Sequence, residues 1–370
     1  MKIIFTKTKL RKCPIYIGLN VTKNAPELLR KSFSDADKVI LVTNDKIIDI
    51  YEDKIKDFLG SSGFGYKIVV IKDGEKYKSI TSADYIYSRL IDFNVHRNDA
   101  IIAFGGGVIG DLAGFVASTY NRGIRLIQCP TTIIGQVDSS IGGKVGINYN
   151  NVKNMIGNFY QPHMVIIDPA LLYTLDEDQI INGLAEIVKY GIVFDKKILE
   201  IISRSIDLDK DDRLFSLIKS DVFEKVICRC CSIKSRVVEK DEFDSGYRNL
   251  LNFGHTIGHC IENAADLKYI NHGQAVSMGM IAAIDISTSL GLTKIQLKDK
   301  IIEIYKRLKL PYTIPGLSTE KIMSALKYDK KFTSKKNKFV LLKGVNKPIF
   351  YYDVNSAIII KSIENNMINN

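Results

Sequence analysis

The sequence predicts an α/β N-terminal domain followed by an all-α C-terminal domain. Three observations carry this. The chain has 370 residues, longer than the roughly 100 to 200 of one ordinary domain. From Lys38 to about Thr132 short β-rich runs alternate with amphipathic helical runs, the pattern of a parallel sheet. Beyond Pro169 the strand patterning gives way to helical periodicity.

The predicted strands are VILVT, KIVVI, AIIAF and IRLIQCP, with MVIIDP (Met164 to Pro169) closing the series. Each ends in polar or glycine-rich residues, such as Thr43-Asn44-Asp45 and Pro130-Thr131-Thr132. Those carboxyl ends are where open α/β sheets bind ligands. Gly105, Gly107 and Gly110 fit GxGxxG directly after AIIAF and before a helical run. Such glycines let backbone approach a pyrophosphate, while the following helix offers free N–H groups. The domain is therefore expected to bind a dinucleotide, although the motif comes later than in a first βαβ unit and no acidic residue follows about 20 positions on. The segment QVDSSIGGKVGINYNNVKNMIGNFYQP reads as a long binding loop whose lysines suit phosphate. The domain boundary is placed near Thr174, giving domains 1–174 and 175–370. Helices are predicted over Gln179–Phe194, Phe215–Glu239, Asn252–Ala265, Gly273–Leu290 and Lys298–Leu308.

Composition narrows the function. Hydrophobic content of 46% with 25% charged residues describes a globular chain able to bury a large core. The N-terminus lacks a signal-like apolar run, and no stretch of about 18 apolar residues appears, so a cytoplasmic protein without membrane association is expected. The six cysteines show no framework spacing, and the cluster Cys228, Cys230 and Cys231 reads as helix thiols and not as a metal site. The formal charge is +11, and the segment Lys294–Lys347 carries 15 Lys and Arg against 4 Asp and Glu, which is the whole excess. Apolar residues at helical spacing (Ile301, Ile304, Tyr305, Leu308) make it a solvated helix face, so nucleic acid is not an expected partner. A positive field would also favour a small polyanionic substrate.

Three of the five histidines, His255, His259 and His272, fall within 18 residues. Read as one helix, Arg248, Asn252, His255, His259 and Glu262 form a polar stripe on an otherwise apolar segment. A buried stripe of that kind needs partners, and a metal or anion supplies them better than a core of isolated histidines. Upstream, GLAEIVKYG puts Glu186 and Lys189 on one helical face. Taken alone, that pair reads as a surface ion pair, the commoner use of Glu and Lys at this spacing.

GGGVIGD, DSSIGGK, VKNMIGNFYQP, GLAEIVKYG, RNLLNFGHTIGH and HGQAVSMGM occur in this order, and together they resemble the 3-dehydroquinate synthase family from about Lys38 to the end. The resemblance implies a zinc or cobalt ion on Glu186, His255 and His272. It implies NAD at Asp73, Gly74, Glu75, Lys76, Tyr77 and Lys78, at Gly107, Val108, Ile109, Gly110 and Asp111, at Thr131 and Thr132, at Lys144 and Lys153, and at Leu171, Leu172, Tyr173 and Thr174, with Asn44 near a ribose. Catalytic and substrate roles carry over to Asp138, Lys144, Lys153, Asn154, Lys189, Lys234, Arg248, Asn252 and His259. Arg122 matches an arginine that reaches across a dimer interface, so a homodimer is implied. The implied reaction turns 3-deoxy-D-arabino-heptulosonate 7-phosphate, a small phosphorylated sugar acid, into 3-dehydroquinate and phosphate in the shikimate pathway, with NAD oxidising transiently. One departure stands out: Gln274 follows His272-Gly273 where the family usually has glutamate, which would soften the metal site if that carboxylate oriented a ligand histidine. Asn44 also stands where an acid is frequent. Related sugar phosphate cyclases, such as 2-deoxy-scyllo-inosose synthase, and iron-type polyol dehydrogenases share the architecture. The carboxylate-binding potential of Arg248 and Lys153-Asn154 favours the heptulosonate substrate.

Overall fold

The computed structural model describes residues 1–150, 152–265, 270–328 and 337–367. In chain order the elements are β1 (Lys2–Lys7), β2 (Lys12–Ile17), α1 (Ala25–Ser32), β3 (Lys38–Asn44), α2 (Asp45–Gly60), β4 (Gly65–Ile71), α3 (Ile80–Asp92), β5 (Ala100–Gly105), α4 (Gly107–Thr119), β6 (Arg125–Pro130), β7 (Lys144–Tyr149), β8 (Val152–Phe159) and β9 (Met164–Ile167). There follow α5 (Glu177–Val193), α6 (Lys196–Ser205), α7 (Arg213–Ile218), α8 (Asp221–Lys240), α9 (His255–Ala264), α10 (His272–Ser289), α11 (Gln296–Arg307), α12 (Thr319–Tyr328), β10 (Lys338–Leu342), β11 (Pro348–Tyr352) and α13 (Ser356–Glu364). Among the described residues no helix is long and apolar enough to cross a membrane.

The chain divides into two compact units. The first joins residues 1–175 to 218–243, and the second joins 176–217 to 244–370. The first unit is built on a seven-stranded sheet of order β1-β2-β9-β6-β5-β3-β4. Its β1–β2 pair is antiparallel and the other pairings are parallel. Strands β3, β5, β6 and β9 are buried on both faces, which is why they read as near-continuous runs of Val, Ile and Leu. Val39 and Leu41 pack with Leu29 of α1 and Ile55 of α2. The alternate residues Ile40 and Val42 pack with Ile86 of α3 and Leu112 of α4 on the opposite face, as the period of two requires.

Three features depart from the sequence reading. The segment read as a long loop is a π-helical turn at Gly135–Ser139 followed by the β7–β8 hairpin. Val145 and Ile147 are buried, but β8 is exposed along nearly its whole length, so half of the alternating signal is missing. The second departure is α8, expected in the C-terminal domain. It packs with the first unit, where Thr6 donates to Ser235 (2.8 Å), the Lys7 amide to Glu239 (2.7 Å) and Cys231 to the Gln136 carbonyl (3.3 Å). The third is in the second unit, which is helical but also contains the β10–β11 hairpin. Its two runs, KFVLL and PIFYY, lie in the Lys- and Asn-rich tail whose composition hides them. At the centre of that unit is α10, packed against α5, α9, α11, α13 and β10. All six cysteines are buried thiols.

Candidate functional site

The metal candidate residues lie wholly in the second unit. Glu186 projects from the middle of α5, a helix started by a capping box in which Asp176 accepts from the Gln179 amide at 2.8 Å. His255 and His272 are the first residues of α9 and α10. His255 Nε2 and His272 Nε2 each lie 3.5 Å from Glu186 Oε1, and one ligand atom from each of the three residues falls within 4.8 Å of the others. Lys189, one turn on from Glu186 and buried beside it, forms an ion pair with the carboxylate. The pair is therefore interior, and the surface reading of GLAEIVKYG does not hold.

The stripe from Arg248 to Glu262 is not one helix. Residues Tyr247–Asn252 form a 3-10 helix, Phe253 caps its C-terminus in a turn (φ −57°, ψ 126°), and Gly254 is left-handed (φ 80°) as the N-cap of α9. A Cβ on Gly254 would come 2.4 Å from Met280 Cγ and 2.8 Å from its backbone N, so only glycine allows this turn against α10. The break separates Arg248, buried in the 3-10 turn, and Asn252 at its end from the histidines on α9. His259 stays with the metal candidates: its ring centroid is 5.4 Å from that of His255 and 6.0 Å from that of His272.

Electrostatics separate the two imidazoles beside Glu186. Burial, then the Lys189 charge, holds His255 well below its usual range, so it is neutral with a lone pair to give. Burial also opposes the charge on His272, but the carboxylates of Glu186 and Glu262 outweigh it and raise the group to about 9. A divalent cation placed among these donors would compete with that proton. One carboxylate and two imidazoles are a fitting donor set for a zinc-like ion with further positions left for water or substrate.

The nucleotide candidates lie in the first unit, around the carboxyl ends of its strands. Asn44 caps α2 by accepting from the Ile47 amide (2.8 Å) and donates to Asp73 (2.6 Å). The 3-10 turn Glu75–Tyr77 follows Gly74. Asn148 donates to Glu75 at 2.8 Å, and the Lys78 carbonyl accepts from the Asn148 amide at 2.8 Å. Lys76 is exposed and Tyr77 half-buried. Buried Lys78 donates to both Asp111 and Asn154 at 2.5 Å. Burial pushes the Asp111 carboxyl up, opposed by Lys78. Gly107, Val108, Ile109 and Gly110 form the first turn of α4, whose N-cap is Gly106. Thr131 and Thr132 follow β6. The Thr131 hydroxyl is buried without a hydrogen-bond partner, and Thr132 accepts from the Gly135 amide at 3.1 Å. An orphaned hydroxyl beside a glycine-opened helix N-terminus fits a polar ligand such as a dinucleotide.

The remaining positions divide. Asp138 and buried Lys234 pair at 2.5 Å, joining the π-helical turn Gly135–Ser139 to α8 within one unit. Lys144 and Lys153 are exposed on the β7–β8 hairpin. Leu171 and Leu172 are fully buried apolar side chains, so they can serve a ligand only through backbone. Tyr51 donates to the Leu171 carbonyl (3.0 Å) and shares a hydrogen bond with Thr174 (2.6 Å). Tyr173 is half-buried, and burial raises its hydroxyl. Arg122 is exposed after Asn121, with both in the left-handed region. Glu262 belongs to the polar stripe of the sequence but has no individual role there; its Oε2 lies 3.6 Å from His272 Nδ1. Asn182, which the sequence reading passes over, accepts from the Gly273 amide at 2.5 Å. The available signals were spacings: Glu262 lies three residues after His259, and Asn182 lies one turn before Glu186.

The family described as 3-dehydroquinate synthase N-terminal matches residues 68–182, and 3-dehydroquinate synthase C-terminal matches 183–332. The chain is 40% identical over 331 residues to a 3-dehydroquinate synthase of Clostridium acetobutylicum, covering 90% of each chain. It is 41% identical over 359 residues to that of Clostridium tetani, covering 95% of this chain and 91% of the relative. Among solved structures it is similar in fold to a 2-deoxy-scyllo-inosose synthase complexed with carbaglucose-6-phosphate, NAD+ and Co2+ (TM-score 0.88, 24% identity, covering 99% and 100%). A 2-epi-5-epi-valiolone synthase from Streptomyces hygroscopicus with NAD+ and Zn2+ gives a TM-score of 0.85 at 24% identity, covering 95% of each chain.

Proposed function

The chain belongs to the 3-dehydroquinate synthase family, and on that premise we propose that it converts 3-deoxy-D-arabino-heptulosonate 7-phosphate to 3-dehydroquinate and phosphate, with NAD in the first unit and a zinc or cobalt ion on Glu186, His255 and His272. The observation that carries the reading is the convergence of those three donors around Glu186, beside the buried cation of Lys189, in a chain 40% identical to a named synthase. When bound, NAD supplies reversible hydride acceptance and the divalent ion lowers the pKa of a substrate hydroxyl.

The protein's own groups supply the rest. Lys189 is held rigid by Glu186 and stabilises negative charge developing on a substrate oxygen. His259, which touches both ligand rings without being one of the three ligands, is placed to carry a proton. In the elimination step an oxygen of the departing phosphate takes the C–H proton next to the transient ketone, the C–C double bond forms as the C–O bond to phosphate breaks, and Lys153 and Asn154 stabilise the phosphate by charge and hydrogen bonding. Asn154 is held for this by Lys78 and by Asn148, whose Oδ1 accepts its amide at 2.9 Å. Arg248, Asn252, Lys144 and Lys234 orient the carboxylate and ring hydroxyls, with Asp138 fixing Lys234. We assign nucleotide contacts to Asn44, to 73–78, to 107–111, to Thr131 and Thr132, and to 171–174.

Purified enzyme given the heptulosonate phosphate and catalytic NAD should release one phosphate per turnover with no net NADH. Glucose 6-phosphate should give none. Phosphate release from glucose 6-phosphate alone would move the chain to the inosose-forming branch, and steady NADH accumulation would make it a dehydrogenase. Glu186→Gln should lose at least ~100-fold in activity together with its stoichiometric metal, and retention of both would refute the ligand set. We further propose a cytoplasmic homodimer, where a reducing milieu suits six buried thiols and exposed Arg122 reaches the partner copy. Sedimentation should give twice the 41.6 kDa chain mass, and a monomer fully active at assay concentration would exclude a role for Arg122 across an interface.

A further inference from the structure

Both ligand imidazoles turn the same nitrogen inward. Their Nε2 atoms face Glu186, so their Nδ1 atoms face outward, and each finds an oxygen. His255 Nδ1 lies 3.2 Å from the Phe253 carbonyl, and His272 Nδ1 lies 3.6 Å from Glu262 Oε2. A carbonyl can only accept, so it places the His255 proton on Nδ1 and leaves the lone pair on Nε2. Glu262, itself buried, stands in the same relation to His272, with a full charge in place of a carbonyl dipole.

We propose that Glu262 is a positioning residue that fixes the tautomer and ring plane of His272 for the divalent cation, and that Gln274 acts only on the helix beneath it. This rests on the metal reading given above. Gln274 makes a capping box with Asn271: its amide N–H donates to Asn271 Oδ1 at 2.9 Å, and its own Oε1 accepts from the Asn271 N–H at 3.0 Å. That task needs one acceptor oxygen, which an amide supplies as well as a carboxylate. Glutamine at 274 therefore leaves the orientation of His272 intact. Asn182 completes the arrangement by accepting from the Gly273 N–H, which registers the start of α10 against the helix that carries Glu186.

His259, Glu262 and His272 also bring donor atoms within 4.8 Å of one another. A second cation there would need both nitrogens of His272 as lone pairs, and a neutral imidazole has one. The carboxylate is therefore assigned to orientation.

The test compares wild type, Glu262→Gln and Gln274→Glu as full-length proteins. Zn2+ affinity is measured by chelator competition, Co2+ binding by visible absorption, and metal-free melting by calorimetry. Glu262→Gln should bind one equivalent with affinity lowered about 10- to 100-fold and an altered Co2+ spectrum, while the metal-free protein melts as wild type does. Gln274→Glu should match wild type in all three. If Glu262→Gln misfolds, Glu262→Asp, which keeps the charge at a longer reach, should show the same loss of affinity in milder form. Wild-type affinity in folded Glu262→Gln overturns the proposal. So does uptake of two equivalents by wild type and one by the variant, which would make Glu262 a ligand. A wild-type protein that takes up no cation overturns the metal reading itself, a separate outcome.

Discussion

His163 is enclosed by Phe33 and Tyr160, with ring centroids 6.3 and 6.4 Å away, and its Nδ1 accepts the Leu126 amide at 3.2 Å. Burial pushes this imidazole down to about 3, helped by Arg11 and Arg125. Between about pH 3 and 6.5 the unfolded chain therefore binds a proton that the folded chain refuses. The stability due to neutral His163 is complete above pH 6.5 and is lost as pH falls toward 3, with a limiting slope of about 1.4 kcal/mol per pH unit. His163→Gln should flatten the pH dependence of the urea midpoint between pH 7 and 5, and an unchanged slope would show that another group controls it. At this scale much was legible: Glu186, His255 and His272 converge as their motifs implied. What was not legible is direction. Nothing in a sequence says which nitrogen of His272 faces inward, so the orienting carboxylate was sought at 274, next in the motif, and not at Glu262 on another helix.

Helices α9 and α10 begin at His255 and His272, and α9 can begin there only because Gly254 turns the chain through a left-handed residue. Gly254→Ala should cost roughly 2 to 4 kcal/mol, from the disfavoured φ and the clash with Met280, and should release the metal through displacement of His255. Urea denaturation with metal analysis checks both, and a stable, metal-replete variant would show that the turn tolerates a side chain. Strands β3, β5, β6 and β9 were plain in the sequence because burial on two faces leaves unbroken apolar runs. The β7–β8 hairpin was not, because one strand is exposed and asparagine, lysine and glycine dominate the segment. The helical stripe through Arg248 and Asn252 failed for a related reason: residues three and four apart keep the correct spacing across a break, and periodicity alone cannot see a single left-handed glycine.

At the scale of the molecule the fold class holds, an α/β unit and a mainly helical one, while residues 218–243 fall in the first unit and not in the second. α8 returns to the first unit and is tied to β1 through Thr6–Ser235 and Lys7–Glu239. Sequence patterning had no means to foresee this, because an amphipathic helix advertises a buried face but not the element that covers it. A fragment of residues 1–175 should therefore lack cooperative unfolding, whereas the full chain shows it, and circular dichroism melts of the two compare them directly. A sharp melt of the fragment at the full-length temperature would mean that α8 adds little. The interleaving also imposes an order in time. As the polypeptide leaves the ribosome, its first strand must wait for more than 200 further residues before the helix that covers it exists, so early synthesis runs with an unfinished sheet edge and a chaperone's attention is best directed there.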